Sequence, residues 1–250
     1  MTKPASPVIQ TGHPLYSACT AFFWMGETGG TTWTDYRNGH TATFHGSPTP
    51  TTSPYGAAWT MAADQGATFA DTSIFPATDM SVAVLQKSSS GAVMGLFDSG
   101  NDTISGNRWL FYRNGNELAF ASSSGGGSYT QTSPLASNSS WQCLVCTTAG
   151  SPQRVTFYID GVAGTPASSV GTMNLSSGGV NAYITASQDA WTNGLIGDIA
   201  GLAVFNTELS SSDVTSLQTD FFGLVRPTGG GSSSVFYFDR EANYSGWGVP

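Results

Sequence analysis

Charge is what this sequence has least of. Asp, Glu, Lys and Arg together make up 10% of its 250 residues, against about 25% in a typical soluble domain. Lysine is reduced to Lys3 and Lys87, and the six arginines (Arg37, Arg108, Arg113, Arg154, Arg226 and Arg240) are scattered without a cluster. With a formal net charge of −8, nothing in the chain can displace the counterions of a polyanion, which argues against nucleic acid as a partner. No apolar run approaches the about 20 residues of a membrane-spanning helix. Met1-Thr2-Lys3-Pro4 leads into no apolar signal core, so the sequence reads as a soluble protein made in a cytoplasm.

The reactive residue types are nearly as sparse. The histidines are His13, His40 and His45, all in the first 45 residues, and no Gly-x-Ser-x-Gly elbow precedes a histidine. Cys143 and Cys146 form a C-x-x-C, but within Trp141-Gln142-Cys143-Leu144-Val145-Cys146-Thr147, which reads as a strand. Residues three apart on a strand face opposite ways, and no second Cys/His pair completes a zinc site. Buried, inert thiols are expected. Glu27, Glu117, Glu208 and Glu241 have no acid two or five residues away in a strand, so the carboxylate pair that glycoside hydrolysis needs is missing. The expectation is a protein that is not an enzyme.

What fills the space is Gly, Ser, Thr and aromatics; Phe, Trp and Tyr reach 12%, which excludes a disordered composition. Met80–Leu85 and Val93–Phe97 read as strands. Trp109–Arg113 and Glu117–Ala121 flank Asn114-Gly115, a hairpin signal, because Asn and Gly accept the positive φ of tight turns. In the next run Val155, Phe157 and Ile159 alternate with Thr156, Tyr158 and Asp160, and the strand stops at Asp160-Gly161. Ala21–Met25 and Leu195–Phe205 supply the first and last core strands. Ser47–Pro54, rich in Pro and Thr, reads as a loop. One short helix is expected after Ser210, whose hydroxyl can cap the first turn with Asp213 three residues on, anchored by Leu209, Val214 and Leu217. Many short strands, Gly-rich turns and a single helix near the C-terminal end give an all-β, two-sheet antiparallel β-sandwich. The expected organisation is an N-terminal arm over 1–20, the sandwich over 21–227, a Gly/Ser linker over 228–234 and an aromatic C-terminal arm over 235–250. In that arm Phe236, Tyr237, Phe238, Tyr244 and Trp247 are too many aromatics for a solvated tail, and a short strand-forming run there can add to a neighbour's sheet edge.

Three stretches resemble the laminin-G-like branch of the concanavalin-A-like lectin/glucanase superfamily, a jelly-roll fold. Phe23-Trp24-Met25-Gly26-Glu27-Thr28-Gly29-Gly30 with Asp35 and Asn38-Gly39 looks like its opening strand and turns. Trp141 with Phe157-Tyr158-Ile159-Asp160-Gly161 looks like its strand ending in Tyr-x-Asp-Gly. Gly197–Asn206 with Leu209-Ser210 looks like its closing strand and capped helix. The resemblance spans about residues 15–227 and implies the fold; that fold hosts lectins, glycosidases and assembly modules. Relatives often bind calcium through Asp side chains and loop carbonyls. Asp98, Asn101, Asp102, Asp189 and Asp198 are therefore calcium candidates beside their ordinary role as turn formers. No other cofactor is implied. Trp33 with Tyr36, and Trp191 with Asn193, are glycan-binding candidates, against the alternative that they cap the core. The closing Asp220–Pro227 also looks like ends seen in laminin-G-like virion proteins of tailed phages. The resemblance then implies a non-catalytic virion structural protein, a capsid (head) decoration protein on the particle surface, forming a homo-oligomer or bound to other virion proteins. The alternative is a lectin-like adhesin, a tail or accessory protein, that binds host-surface glycans.

Overall fold

The computed structural model describes residues 7–70, 79–99, 109–122, 127–131, 139–150, 153–168, 181–186 and 193–225. The aromatic arm, with Phe236, Tyr237, Phe238, Tyr244 and Trp247, lies outside the described residues, as does the linker. In chain order the strands are β1 (Cys19–Phe23), β2 (Thr32–Thr34), β3 (Thr41–His45), β4 (Thr49–Ser53), β5 (Gly56–Met61), β6 (Gly66–Phe69), β7 (Met80–Ser88), β8 (Met94–Asp98) and β9 (Trp109–Asn114). They continue with β10 (Glu117–Ser122), β11 (Gly127–Gln131), β12 (Gln142–Gly150), β13 (Gln153–Ile159), β14 (Val162–Ala163), β15 (Ala167–Ser168), β16 (Ala182–Ile184) and β17 (Gly197–Phe205). Helix α1 (Ser211–Thr219) follows, then a 3-10 turn over Gly223–Val225.

Two sheets stack face to face, as the sequence pattern predicts. Sheet I runs β14-β13-β12-β7-β17-β5-β4, with β1 also on β17 and β15 on β13; sheet II runs β11-β10-β9-β8-β16-β6-β3-β2. Every strand pair described is antiparallel. Between the sheets lies the main core, built around Phe23, Trp59, Phe97, Trp109, Phe111 and Phe157. The period-two alternation holds where it was read. Val155, Phe157 and Ile159 point into this core while Tyr158 points to the opposite face of sheet I. Cys146 likewise faces inward and Cys143 outward. Both are free and buried, as is Cys19.

Across its centre sheet I is apolar on both faces. Its outer side carries Ala83, Leu85, Val145, Ala203 and Phe205, and these are covered by Leu209, Val214 and Leu217 of the helix region and by Phe221, Phe222, Leu224 and Val225. Small residues let the cover sit close: a Cβ on Gly201 would come within 2.8 Å of Phe221. Ser210 caps α1 as expected, its hydroxyl accepting from Asp213 N–H while the Asp213 carboxylate accepts from Ser210 N–H. Residues 7–18 hold no strand or helix, yet they lie along this cover. Gln10 N–H donates to the Leu224 carbonyl at 2.7 Å and Leu15 is buried.

Local chemistry explains two departures from the sequence reading. Ser47–Pro54 is not a loop: it contains β4, an edge strand that among the described residues pairs only with β5. Pro50 is tolerated there because an edge position needs no N–H for a neighbour. In the β9–β10 hairpin Asn114 pairs with Glu117, so the two turn residues are Gly115 and Asn116 rather than Asn114 and Gly115. Only Gly115 has positive φ, at 65°, the pattern of a turn with glycine first. The Asp160-Gly161 turn behaves as read. Both residues have positive φ, 50° and 77°, and the Asp160 carboxylate accepts from Cys143 N–H at 2.9 Å.

Candidate functional site

Unlike sheet I, sheet II alternates strictly at its β3 end. In β3, Ala42 and Phe44 turn to the core while Thr41, Thr43 and His45 are exposed. Register carries this outward face across the sheet. Thr32 pairs with Thr43, Thr43 with Thr68, Thr68 with Tyr183, Tyr183 with Asp98, Asp98 with Leu110 and Leu110 with Ala121. These side chains form one row on the face away from the core, since the neighbours Trp33, Ala42, Ala67, Ile184, Phe97 and Phe111 all point inward. Burial deepens along the row: Thr43 is exposed, Thr68 and Tyr183 are half-buried, and Asp98 is fully buried. Beside it Gly95, Tyr112 and Ala119 make a second row. The result is a face of hydroxyls and two tyrosine rings. Each hydroxyl both donates and accepts, and a tyrosine ring adds an apolar surface with a polar tip.

The described cations lie elsewhere. Lys87 is 3.6 Å from Asp198 on sheet I. Arg37 stacks 4.1 Å above the Tyr16 ring and donates to the Cys19 carbonyl at 3.0 Å. Arg154 forks onto Glu208 with contacts of 2.6, 2.7 and 3.0 Å. Arg113 is on the inner side of β9, with no exposed surface, and burial pushes its guanidinium down to about 10.

The structure separates most of the candidates named from sequence. Trp33 is not a surface platform: it is fully buried, edge-on to Phe44 at 4.9 Å and to Trp59 at 6.3 Å. Its place in β2, flanked by outward threonines, sends the ring inward. Tyr36 belongs instead to the outer cover of sheet I, where burial and then the nearby Glu27 carboxylate raise its phenol above the usual range. Trp33 and Tyr36 are therefore not one site. Asn193 is exposed; Trp191 lies outside the described residues. Of the calcium candidates, Asn101, Asp102 and Asp189 lie outside the described residues. Asp98 is on sheet II and Asp198 on sheet I, where it accepts from the Thr60 hydroxyl at 2.7 Å. These two do not share an ion site, and among the described residues no three His, Cys, Asp or Glu side chains converge.

Two acids that carried the family resemblance are structural clamps. The buried Asp35 carboxylate accepts from the N–H groups of Phe22 and Arg37, both at 2.8 Å, and of Asn38 at 3.2 Å. The His40 ring is 3.1 Å away. Desolvation raises its carboxyl, and the backbone donors and His40 oppose that. Asp160 holds the β13–β14 turn against β12. Burial also pushes the Cys19 thiol up to about 12 and holds Cys143 and Cys146 well above the ordinary thiol range, so none is a nucleophile at neutral pH. The sequence reading missed Thr32, Thr43, Thr68, Tyr112 and Tyr183. The one local signal was the alternation Thr41-Ala42-Thr43-Phe44-His45, because the row is assembled from short strands far apart in sequence.

Comparison with known proteins agrees with this architecture. Domain 4 of AbnA, a GH43 extracellular arabinanase from Geobacillus stearothermophilus solved in complex with arabinotriose, superposes with a TM-score of 0.63 at 17% identity. The match covers 80% of this chain and 98% of that domain. The binding domain of Paraclostridial Mosquitocidal Protein 1 gives 0.64 at 10% identity, covering 84% of this chain and 53% of that one. A structure of botulinum neurotoxin type C, whose cell entry depends on interaction with two ganglioside molecules, gives 0.59 at 10% identity over 82% and 51%. The chain thus spans about half of each toxin chain, and likeness at these identities speaks for the fold alone. No curated protein shows a significant match in sequence. A Laminin_G_3 sequence profile matches residues 60–215, more than half the chain, and covers strands of both sheets and the start of α1. The chain belongs to the concanavalin A-like lectin/glucanases superfamily.

Proposed function

We propose that this chain is a non-catalytic carbohydrate-binding domain that takes its ligand on the outward face of sheet II. The observation that carries the reading is the row Thr32–Thr43–Thr68–Tyr183. Hydroxyls that donate and accept match the hydroxyls of a sugar, and the Tyr183 and Tyr112 rings supply apolar surface for its carbon faces. The outer face of sheet I is sealed by its own chain over its centre, and its exposed hydroxyls at Thr49 and Thr60 run into the Lys87–Asp198 ion pair. Support also comes from fold neighbours that are named for carbohydrate or ganglioside interaction, at the level of fold analogy. A glycan array followed by calorimetric titration tests the reading. Tyr183→Ala is expected to weaken the best ligand by at least about tenfold while the melting temperature stays close to that of the parent. Binding that Tyr183→Ala leaves intact places the site elsewhere.

A second reading concerns where such a domain works. The closing Asp220–Pro227 stretch, the low charge and the aromatic arm suit a component of a tailed-phage particle, either a head decoration protein or a tail adhesin for host glycans. In that setting the arm holds the domain on virion proteins or on further copies of itself, and the surface of the particle is where it sits. Deleting 228–250 and measuring oligomer mass and particle binding tests this; unchanged assembly removes the arm from the account.

A further inference from the structure

Resting on the carbohydrate reading above, we infer that the face on sheet II selects neutral, linear oligosaccharides of several units and rejects anionic sugars. The first argument is charge. Recognition of a sialic or uronic acid carboxylate calls for an arginine fork or a lysine at the site. All four described lysines and arginines are placed elsewhere: Lys87 beside Asp198, Arg37 over Tyr16, Arg154 on Glu208 and Arg113 inside the sandwich. The described acids on the outward face are Asp98 in the row and Glu117 at the hairpin end of β10; His45, at the end of β3, is the one described basic side chain there. The field of a chain with net charge −8 adds to the repulsion of an anion.

The second argument is shape. Neighbouring strands lie about 4.8 Å apart, so the step from Thr32 to Thr43, Thr68 and Tyr183 spans roughly 14 Å over three gaps. Beyond Tyr183 the register passes to Asp98, which is fully buried, and to Leu110 and Ala121, which carry no hydroxyl. A ladder with a regular hydroxyl step fits a chain lying across the strands better than a single terminal sugar, which would use one rung. Thr43 is exposed, Thr68 and Tyr183 are half-buried and Asp98 is fully buried, so the accessible rungs run from Thr32 to Tyr183.

The test titrates the full chain with neutral linear oligosaccharides (arabino-, xylo- and cello- series, di- to hexasaccharide), with sialyllactose and with oligogalacturonates, each at low and at physiological salt. Neutral ligands are expected to bind with affinity that rises with length and stays within about twofold between the two salts, since no ion pair is screened. Anionic ligands are expected to be at least about tenfold weaker. Thr43→Lys, a change at an exposed position, is expected to gain salt-sensitive binding of oligogalacturonate. Sialyllactose or oligogalacturonate binding as tightly as the neutral series overturns the inference and leaves the carbohydrate reading standing. So does neutral binding that is flat from disaccharide to hexasaccharide. Silence from both classes, with Thr43→Lys equally silent, removes the carbohydrate reading and the inference together.

Discussion

The two outer faces of this sandwich have opposite fates. Sheet I turns Ala83, Leu85, Val145, Ala203 and Phe205 outward and then buries them under α1 and the Phe221–Val225 segment. Sheet II turns Thr41, Thr43, Thr68 and Tyr183 outward, and Thr41 and Thr43 stay exposed. The difference comes from side-chain chemistry. An apolar outer face must be covered, and the covering segment follows the last strand directly. A hydroxylated face pairs with water as readily as with a ligand, so it can remain open without cost to the fold. Sheet I thereby gains a second layer of apolar burial beyond the shared core, and the β3 end of sheet II does not.

That contrast can be broken by placing the same charge on each face. Ala203→Asp puts an unpaired carboxylate beneath α1, where the parent side chain has no exposure. A cost of about 3–5 kcal/mol is expected, read as a fall in thermal midpoint of roughly 10 °C. Thr43→Asp on the open face is expected to stay within about 0.5 kcal/mol. If both variants melt alike, the faces do not differ in the way described.

Alkali sharpens the comparison, because most groups raised by burial sit on the sealed side. Cys19 and Cys143 lie in the outer cluster of sheet I and Tyr55 packs against it; Cys146 lies in the core between the sheets. Burial lifts Cys19 from 9.0 to about 12 and Tyr55 from 10.0 to about 12. Cys143 and Cys146 are also raised. In the unfolded chain these groups release protons first, so above pH 9 the unfolded state binds fewer protons than the folded one. Stability is then fully present below pH 9 and falls as the pH rises towards 12. Cys19 alone is expected to contribute a loss of about 1 kcal/mol between pH 9 and 10, seen as a lower urea midpoint. Iodoacetamide at pH 8 is expected to spare all three thiols until denaturant is added. Rapid native alkylation would contradict the burial of the outer cluster.

The smallest expected effect tests the cover itself. Ser210→Ala removes the hydroxyl that accepts from Asp213 N–H and is expected to cost about 1 kcal/mol, measured by denaturant unfolding. No change would mean that packing by Val214 and Leu217 alone holds the helix.

Much of this contrast was legible in the strands. Val82–Leu85 is a continuous apolar run because sheet I is buried there on both faces, whereas Thr41–His45 alternates because sheet II at β3 is buried on one. The capped helix, the Asp160-Gly161 turn and the opposed Cys143 and Cys146 followed from local rules of hydroxyl capping, positive φ and strand period. The loop assigned to Ser47–Pro54 failed because Pro and Thr signal turns and edge strands alike. Trp33 and Tyr36 were grouped by nearness in sequence, yet one side chain enters the core and the other joins the outer cover, and no local pattern distinguishes those two burials.

Period-two alternation and turn residues determined the fold class by themselves, because each acts within a few residues. The hydroxyl row was decided only by tertiary structure. Thr32, Thr43, Thr68 and Tyr183 meet through the antiparallel register of four separate strands, and strand register is a long-range property that no short stretch of chain encodes.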